Sequence, residues 1–194
     1  MKDITSNEMN FVLTLLKSPE VEYNATSIAK PLHISPMGAL KIAKKLEKER
    51  IITGKNKGKA RFYALNLEEE YVEQYVRFLL HREVAQALPY IRVWIRELKK
   101  LKHADVLILF GSVLRKQEAA RDIDVVAIIT KKTFETVKKE VAGVDAINRK
   151  KLHLLYQTKQ DFKDNIKKLD SVLLNAIKGL VVKGENVILE ALKA

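Results

Sequence analysis

The stretch from residue 106 to residue 129 constrains the fold of this chain more than any other part of its sequence. Two uninterrupted apolar runs, residues 106–110 and 125–129, have the length and composition of buried strands. Gly111-Ser112 follows the first run directly, and Asp122-Ile123-Asp124 opens the second. The pattern therefore predicts two core strands with polar residues gathered where one ends and the other begins.

Each of these polar residues has a physical reason to be there. Glycine lets the backbone turn sharply and approach a ligand closely, so Gly111 suits a tight turn. Ser112 would then start a helix, where free N–H groups favour phosphate oxygens. Side chains two apart on a strand project from one face, which puts the carboxylates of Asp122 and Asp124 side by side. Paired hard oxygen donors suit Mg²⁺, which binds nucleotide phosphates in many enzymes.

The sequence "LFGSVLRKQEAARDIDVVAII" resembles the nucleotidyltransferase superfamily that includes polymerase beta, and particularly its minimal, stand-alone members. The resemblance covers about residues 85–194 and includes a closing helix, short strand and helix in "LLNAIKGLVVKGENVILEAL". It implies Mg²⁺ held by Asp122 and Asp124, and an NTP, with ATP expected, whose phosphates contact Gly111 and Ser112. Arg115, Lys116 and Arg121 would bind the triphosphate or a nucleic-acid acceptor, or would neutralise a degenerate site. All three fall in a loop predicted over residues 113–121.

One part of the family pattern is missing. Active members generally supply a third carboxylate from a neighbouring strand, often as general base. The matching strand here is expected at residues 151–156, "KLHLLY", which contains no acid. His153 occupies its middle and is a candidate catalytic base, because imidazole exchanges protons near neutral pH. A purely structural or surface role is the alternative.

The amino-terminal third predicts three short helices followed by a hairpin. Apolar spacing places the helices over residues 6–17, 25–30 and from Pro36 onward, with Asn24 and Ser35 as caps. A strand from Ile51, a polar basic turn over residues 54–58 and a strand over residues 60–65 follow. This order resembles a winged helix-turn-helix, whose third helix enters the major groove and whose hairpin contacts the DNA backbone. The resemblance implies double-stranded DNA contacts from Ser35, Gly38, Lys41, Lys44, Lys45, Lys55, Lys57, Lys59 and Arg61.

Charge patterning agrees with that prediction. The chain carries a net charge of +12, and residues 41–61 contain nine basic against two acidic residues, a local charge of +7. Such a cluster displaces counterions from DNA. No arginine or asparagine on the third helix is a strong base reader, which favours phosphate contacts. Protein contact and a merely solvated basic face are the alternatives.

Residues 67–101 have a helical pattern with a single proline, Pro89. Tyr71, Tyr75, Phe78 and Leu79 form one predicted apolar face, and a second contains Ala85, Leu88, Ile91, Trp94, Ile95 and Leu98. Such faces pack in a core or against a second subunit, so we expect a homodimer.

The sequence thus predicts an α+β protein: a winged-helix DNA-binding domain at 1–66, then a helical connector plus a nucleotidyltransferase-like mixed sheet with flanking helices at 67–194.

Three functions remain open on the sequence. The chain is a DNA-binding protein that binds Mg-NTP and transfers a nucleotidyl group to a hydroxyl acceptor, or an inactive transcriptional regulator that uses this domain as a nucleotide sensor or dimerisation module. The third is an antitoxin-like partner of a helical toxin. The absence of cysteine excludes disulfides and thiolate chemistry. No apolar run approaches the roughly 18 residues of a membrane span, so we expect a cytoplasmic protein.

Overall fold

The computed structural model describes residues 4–193 and divides the chain into two compact units. One unit extends to Leu79 and the other runs from Leu80 to Leu192. Both combine helices with a β-sheet, which confirms the predicted α+β class. The domain limits 1–66 and 67–194 remain a prediction, and their outer residues, Met1–Asp3 and Ala194, lie outside the described residues.

The first unit contains the three predicted helices. Helix α1 (Ser6–Lys17) is closed by a capping box in which Thr5 and Glu8 exchange hydrogen bonds. Helix α2 (Ala25–Ala29) is capped by Asn24, and helix α3 (Pro36–Lys48) by Ser35, as expected from their sequences. The stripe predicted for α1 is buried: Met9, Val12, Leu13 and Leu16.

A three-stranded antiparallel sheet completes this unit. Strands β1 (Tyr23–Asn24), β2 (Ile52–Lys57) and β3 (Ala60–Leu65) lie in the order β1-β3-β2. The basic turn predicted over residues 54–58 is wrong, because most of it belongs to β2, where Lys55 pairs with Phe62. The true turn is at Gly58-Lys59, and Gly58 has a φ of 59°. Cross-strand pairing with β3 outweighs the low strand propensity of this lysine-rich segment.

Two helices form the predicted helical connector. Helix α4 (Glu70–Ala85) continues through the boundary of the two units, and helix α5 (Pro89–Leu98) begins with Pro89 in its first turn. Of the second predicted face, Ile91, Trp94, Ile95 and Leu98 are buried, whereas Ala85 and Leu88, which precede α5, are exposed. The face predicted for α4 is wrong in part: Tyr71 is 56% and Phe78 50% exposed. Leu79 is buried as predicted, and the other buried α4 residues are Val72, Val76 and Leu80.

The second unit is built on a four-stranded mixed sheet. Strands β4 (Val106–Phe110), β5 (Ile123–Ile128), β6 (Leu152–Gln157) and β7 (Leu180–Lys183) lie in the order β6-β5-β4-β7. Strand β4 is antiparallel to β5 and β7, whereas β5 and β6 are parallel. Residues 106–109 of β4 and 125–128 of β5 are fully buried because both are interior strands.

Helices connect and flank this sheet. The predicted loop over residues 113–121 contains helix α6 (Val113–Lys116) and a 3-10 turn (Gln117–Ala119). Helix α7 (Phe134–Ile147) forms the crossover from β5 to β6, and helix α8 (Lys159–Lys167) follows β6. The predicted closing helix, strand and helix are present as α9 (Ser171–Ile177), β7 and α10 (Glu185–Lys193). Within residues 4–193, no helix combines the length and apolar character needed to cross a membrane.

Candidate functional site

The turn after β4 lies directly against an acidic residue of β5. Phe110, the last residue of β4, pairs with Asp124 across the antiparallel ladder. Gly111 follows with a φ of +81°, and a Cβ atom at this position would overlap the Oδ2 atom of Asp124. Only glycine meets both demands without strain. The Gly111 turn and the acid therefore lie side by side, as the sequence predicts.

The two acids flank the start of β5. Asp122 immediately precedes the strand and Asp124 is its second residue, with fully buried Ile123 between them. Because strand side chains alternate, burial of Ile123 turns the acids toward the opposite face. Asp122 is exposed, and the Asp124 side chain is 24% exposed.

Strand β6 adds a histidine to the pair. His153 lies opposite Asp124 in the parallel ladder, and its Nδ1 atom is 3.2 Å from Asp124 Oδ1. An ionised carboxylate only accepts hydrogen bonds, so this contact places the proton of a neutral imidazole on Nδ1. Nε2 is then the basic nitrogen, on a side chain that is 77% exposed.

These three residues form a compact donor set. One ligand atom from each of Asp122, Asp124 and His153 lies within 4.8 Å of the others. That spacing allows all three atoms to surround one cation. Carboxylate oxygens suit Mg²⁺ and Mn²⁺, and an imidazole nitrogen adds affinity for zinc-like ions. The residues present thus fit a divalent ion held by two carboxylates, with His153 as a third ligand or as a free base.

Ser112 and three basic residues predicted to contact the nucleotide lie in the segment between β4 and β5. The basic residues are Arg115, Lys116 and Arg121. Ser112 precedes α6, and its carbonyl oxygen accepts hydrogen bonds from the backbone of Arg115 and Lys116 at 3.1 and 2.8 Å. Its hydroxyl makes no capping bond. Arg115, Lys116 and Arg121 are exposed, and no carboxylate in residues 4–193 forms an ion pair with them. They are free to contact an anion.

A lysine that the sequence did not single out joins the segments around the cluster. Lys150 donates a hydrogen bond to the Glu118 carbonyl oxygen, which ties the segment before β6 to the segment before β5. Its ammonium also lies 5.3 Å from the centre of the Tyr90 ring, at the start of α5. No local pattern could have predicted this contact, because its partners are far apart in sequence.

The predicted DNA-binding residues divide into two groups. Lys41, Lys44, Lys55 and Lys59 are exposed and form no ion pair with any carboxylate of the described chain. The others are engaged: Lys45 pairs with Glu8 at 2.5 Å, Lys57 with Glu22, and Arg61 with Glu47 at 2.6 Å. The Ser35 hydroxyl accepts the Gly38 N–H at 3.0 Å.

The ion pairs shift the pKa values of two side chains in the first unit, Glu8 and Arg61. Burial alone would raise the pKa of Glu8, but hydrogen bonds from Lys45 and Thr5 outweigh it and lower that pKa. The Glu47 carboxylate raises the pKa of Arg61.

Met37, next to Gly38 at the start of α3, is 62% exposed and was not predicted as a contact residue. Its exposure beside the helix cap makes it available to a partner.

Comparison with known proteins gives only distant structural likenesses. No protein-family model matches the sequence, and no curated protein matches it. The adhesin competence repressor AdcR from Streptococcus pyogenes is similar over 73% of this chain and 77% of its own, with 17% identity and a TM-score of 0.38. Lactococcus lactis ZitR in complex with DNA is similar over 42% of this chain and 56% of its own, with 21% identity and a TM-score of 0.32.

A ZitR variant is similar over 39% of this chain, with 22% identity and a TM-score of 0.32, and the match spans about half (50%) of its length. At such identities the likeness concerns the fold alone. The winged-helix arrangement of the first unit is evident from its own element order, with α1, β1, α2 and α3 followed by the β2–β3 hairpin.

Proposed function

We propose that this chain is a DNA-binding protein whose second unit binds a divalent metal ion with a nucleoside triphosphate and transfers the nucleotidyl group to a hydroxyl acceptor, with release of pyrophosphate. The observation that carries this proposal is the convergence of Asp122, Asp124 and His153 within 4.8 Å. The adjacent Gly111 turn supports it, since a phosphate-binding turn must lie beside the metal ligands in such a site. Mg²⁺ and ATP are the proposed ion and nucleotide.

Asp122 and Asp124 would hold the ion, since they are the two oxygen donors of the cluster. When bound, a divalent ion neutralises charge on the phosphates and polarises the reacting phosphorus centre. The backbone at Gly111 and Ser112 would orient phosphate oxygens. Arg115, Lys116 and Arg121, which have no carboxylate partner in the described chain, would offset the remaining triphosphate charge.

His153 would take the proton of the attacking hydroxyl. Its Nδ1 hydrogen bond to Asp124 fixes the ring and leaves Nε2 as the proton acceptor. This is the role that a carboxylate has in the family the sequence resembles. Asp124 would then both hold the ion and position the imidazole.

The first unit supports the DNA-binding part of the proposal. The third helix α3 and the β2–β3 hairpin carry the local charge of +7 over residues 41–61. Lys41, Lys44, Lys55 and Lys59 are the cations best able to replace counterions on a phosphate backbone, because they are exposed and unpaired among residues 4–193. We expect double-stranded DNA to contact this surface largely through phosphates.

A homodimer is the proposed assembly. Tyr71 and Phe78 lie seven residues apart, two turns of α4, and both are at least half exposed. Exposed aromatic side chains at helical spacing are typical of helix–helix interfaces. Acidic Glu68–Glu70 precede this face and Arg82 follows it, so two antiparallel copies of α4 would bring opposite charges together.

A second function is favoured by one observation. The β6 position next to Asp124 holds His153 in place of the expected third carboxylate. A site with two acids retains ion and nucleotide binding more readily than turnover. The chain would then be a DNA-binding regulator that senses the nucleotide.

Two measurements on the full chain separate these functions. Transfer of label from α-labelled ATP in the presence of Mg²⁺, lost in Asp122→Asn and in Asp124→Asn, is expected for the enzyme. Mg-dependent nucleotide binding with no transfer, also lost in both variants, indicates the sensor. Asp164→Asn is the matched control, because Asp164 is an α8 carboxylate bonded to Gln160, outside the cluster. If the wild type binds no nucleotide with or without Mg²⁺, both functions are excluded.

A further inference from the structure

A groove beside α5 contains three cations on one helical face. Arg92, Arg96 and Lys99 are spaced by four and three residues, so they form a stripe along the helix. All three are exposed, and none forms an ion pair with a carboxylate of residues 4–193. Glu97 offsets part of the Arg96 charge, and an anion bound along the stripe would reduce the repulsion that remains between the three cations.

The groove itself has room for a ligand. Its volume is about 550 Å³, and its lining includes Val84, Pro89 and Val93 together with the three cations. No acidic residue lines it. An apolar floor edged by cations favours a ligand that is anionic along one side and flat and apolar along the other.

We infer that this groove binds the phosphodiester backbone of a single-stranded nucleic acid. The stripe extends over about 10 Å of helix, which is longer than one phosphate group and requires successive anionic groups. Guanidinium groups bind phosphate oxygens in pairs, which suits Arg92 and Arg96 to this ligand. A single strand leaves its bases free to lie on the apolar floor, whereas a duplex would bury them in its own stack.

One residue at the start of α5 contacts a lysine that lies three residues before His153. Tyr90 precedes the stripe, and its ring lies under Lys150, which bonds the Glu118 carbonyl oxygen. Lys150 and Glu118 belong to the segments that lead into His153 and Asp122. Tyr90 and the cationic stripe lie on different sides of α5, since Arg92 follows Tyr90 by two residues, about 200° around the helix. Binding of a single strand in the groove therefore does not rest on the proposed enzymatic function.

The test uses the full chain and a fluorescein-labelled dT12 oligonucleotide, with excess unlabelled duplex DNA to occupy the first unit. Fluorescence polarisation at several NaCl concentrations gives the slope of log affinity against log salt. For single strands each phosphate contact contributes about 0.7 to that slope, so combined Arg92→Gln, Arg96→Gln and Lys99→Gln should reduce it by about 2. Affinity at one fixed salt concentration should fall at least tenfold.

The matched control removes three other exposed cations of the same unit, through Lys131→Gln, Lys132→Gln and Lys139→Gln. It changes the net charge equally and should leave the slope unchanged. Equal weakening in both variants, or no change in the groove variant, would overturn the inference. So would a groove variant that loses binding to phosphatidylserine vesicles but keeps binding to the oligonucleotide.

Label transfer is measured in parallel. If transfer from ATP fails with every acceptor while the slope shifts as expected, groove binding stands and the enzymatic proposal fails. If transfer occurs and the slope does not shift, the enzymatic proposal stands and the groove inference fails.

Discussion

Gly111 and Asp124 lie so close together that position 111 has no room for a Cβ atom beside the Asp124 carboxylate. The glycine also has a φ of +81°, where other residues are strained. We expect Gly111→Ala to lower the free energy of unfolding by about 1–3 kcal/mol through backbone strain and displacement of Asp124. Chemical denaturation and Mn²⁺ titration should show reduced stability and reduced metal affinity together.

Gly143→Ala is the control for this substitution. Gly143 lies inside α7 with no atom within 4 Å of an added Cβ. Alanine there should raise stability by about 0.5–1 kcal/mol and leave metal affinity alone. If Gly111→Ala left metal affinity unchanged, the Gly111 turn would have no role in the proposed metal site.

His153→Asp should convert the cluster into a three-carboxylate site. Without metal, the added negative charge beside Asp124 should lower the melting temperature, because like charges repel. Divalent ions should reverse that loss, and affinity for Mg²⁺ or Mn²⁺ should rise at least about tenfold, or about 1.4 kcal/mol. Thermal unfolding in a series of MgCl2 and MnCl2 concentrations measures both effects.

A second histidine provides the matched comparison. His81 Nδ1 lies 3.6 Å from Glu185 Oε1, and neither residue belongs to the set formed by Asp122, Asp124 and His153. His81→Asp therefore also places one acid beside another, and it should lower stability without rescue by divalent ions. Equal rescue in both variants would mean that the metal effect is nonspecific.

DNA affinity should depend on the unpaired lysines of the hairpin. For Lys55→Gln combined with Lys59→Gln, we expect the slope of log affinity for duplex DNA against log salt to fall by about 2, since each phosphate contact contributes about 0.9. Binding at several NaCl concentrations measures the slope. Asp122→Asn should bind DNA like the wild type, and a double lysine variant with an unchanged slope would exclude the hairpin as a contact surface.

Local sequence patterns predicted the elements whose determinants are adjacent in the chain. Ser35-Pro36 marks the start of α3, and the apolar runs of β4 and β5 need only their own composition to be recognised. The prediction for α4 is wrong at Tyr71 and Phe78 because an aromatic ring counts as apolar in a spacing pattern even where it lies on the exposed side of a helix. The buried side is formed by Val72, Val76, Leu79 and Leu80.

Contacts between residues far apart in the sequence could not be predicted from local patterns. The two-residue strand β1 exists only because β3 pairs with it, and its composition carries no strand signal. The contact between His153 and Asp124 depends on the parallel register of β5 and β6, whose connection is the crossover helix α7. The sequence does not predict that register. Resemblance to a family indicated the strand, but only the register places the imidazole at the carboxylate.

Stability should fall in acid where Glu8 becomes protonated. Its folded-state pKa lies below its ordinary value of 4.5, although burial opposes the shift, because Lys45 and Thr5 bond the ionised form. A lowered pKa stabilises the fold above pH 4.5, and this contribution is lost as the pH falls through the folded-state value. Glu8→Gln should cost about 1 kcal/mol at pH 7. This cost should shrink as the pH falls below 4.5 toward the lowered pKa of the folded state.

Urea unfolding at pH 7 and at about pH 3.5 measures this difference. Glu190→Gln, which changes an exposed carboxylate on α10, should have almost no effect at either pH. A constant penalty for Glu8→Gln at both pH values would contradict the assignment of the effect to its ionisation.

Self-association should depend on the exposed aromatic face of α4. We expect Phe78→Lys to raise the dimer dissociation constant at least about a hundredfold, because it places a charge in the centre of the proposed interface. Sedimentation equilibrium over a range of concentrations measures the constant. Ile147→Lys changes a residue that is 71% exposed on α7 and should have no effect. A wild-type chain that remains monomeric at high concentration would exclude the interface.

The candidate site combines residues from two separate parts of the chain. Gly111, Asp122 and Asp124 come from one continuous segment whose ends are joined by antiparallel pairing, while His153 comes from a separate strand after a helical crossover. A substitution on β6 can therefore change the third donor without altering the backbone that carries the acids. The single codon at position 153 therefore determines whether the proposed site has a base, while the two acids proposed to hold an ion stay in place.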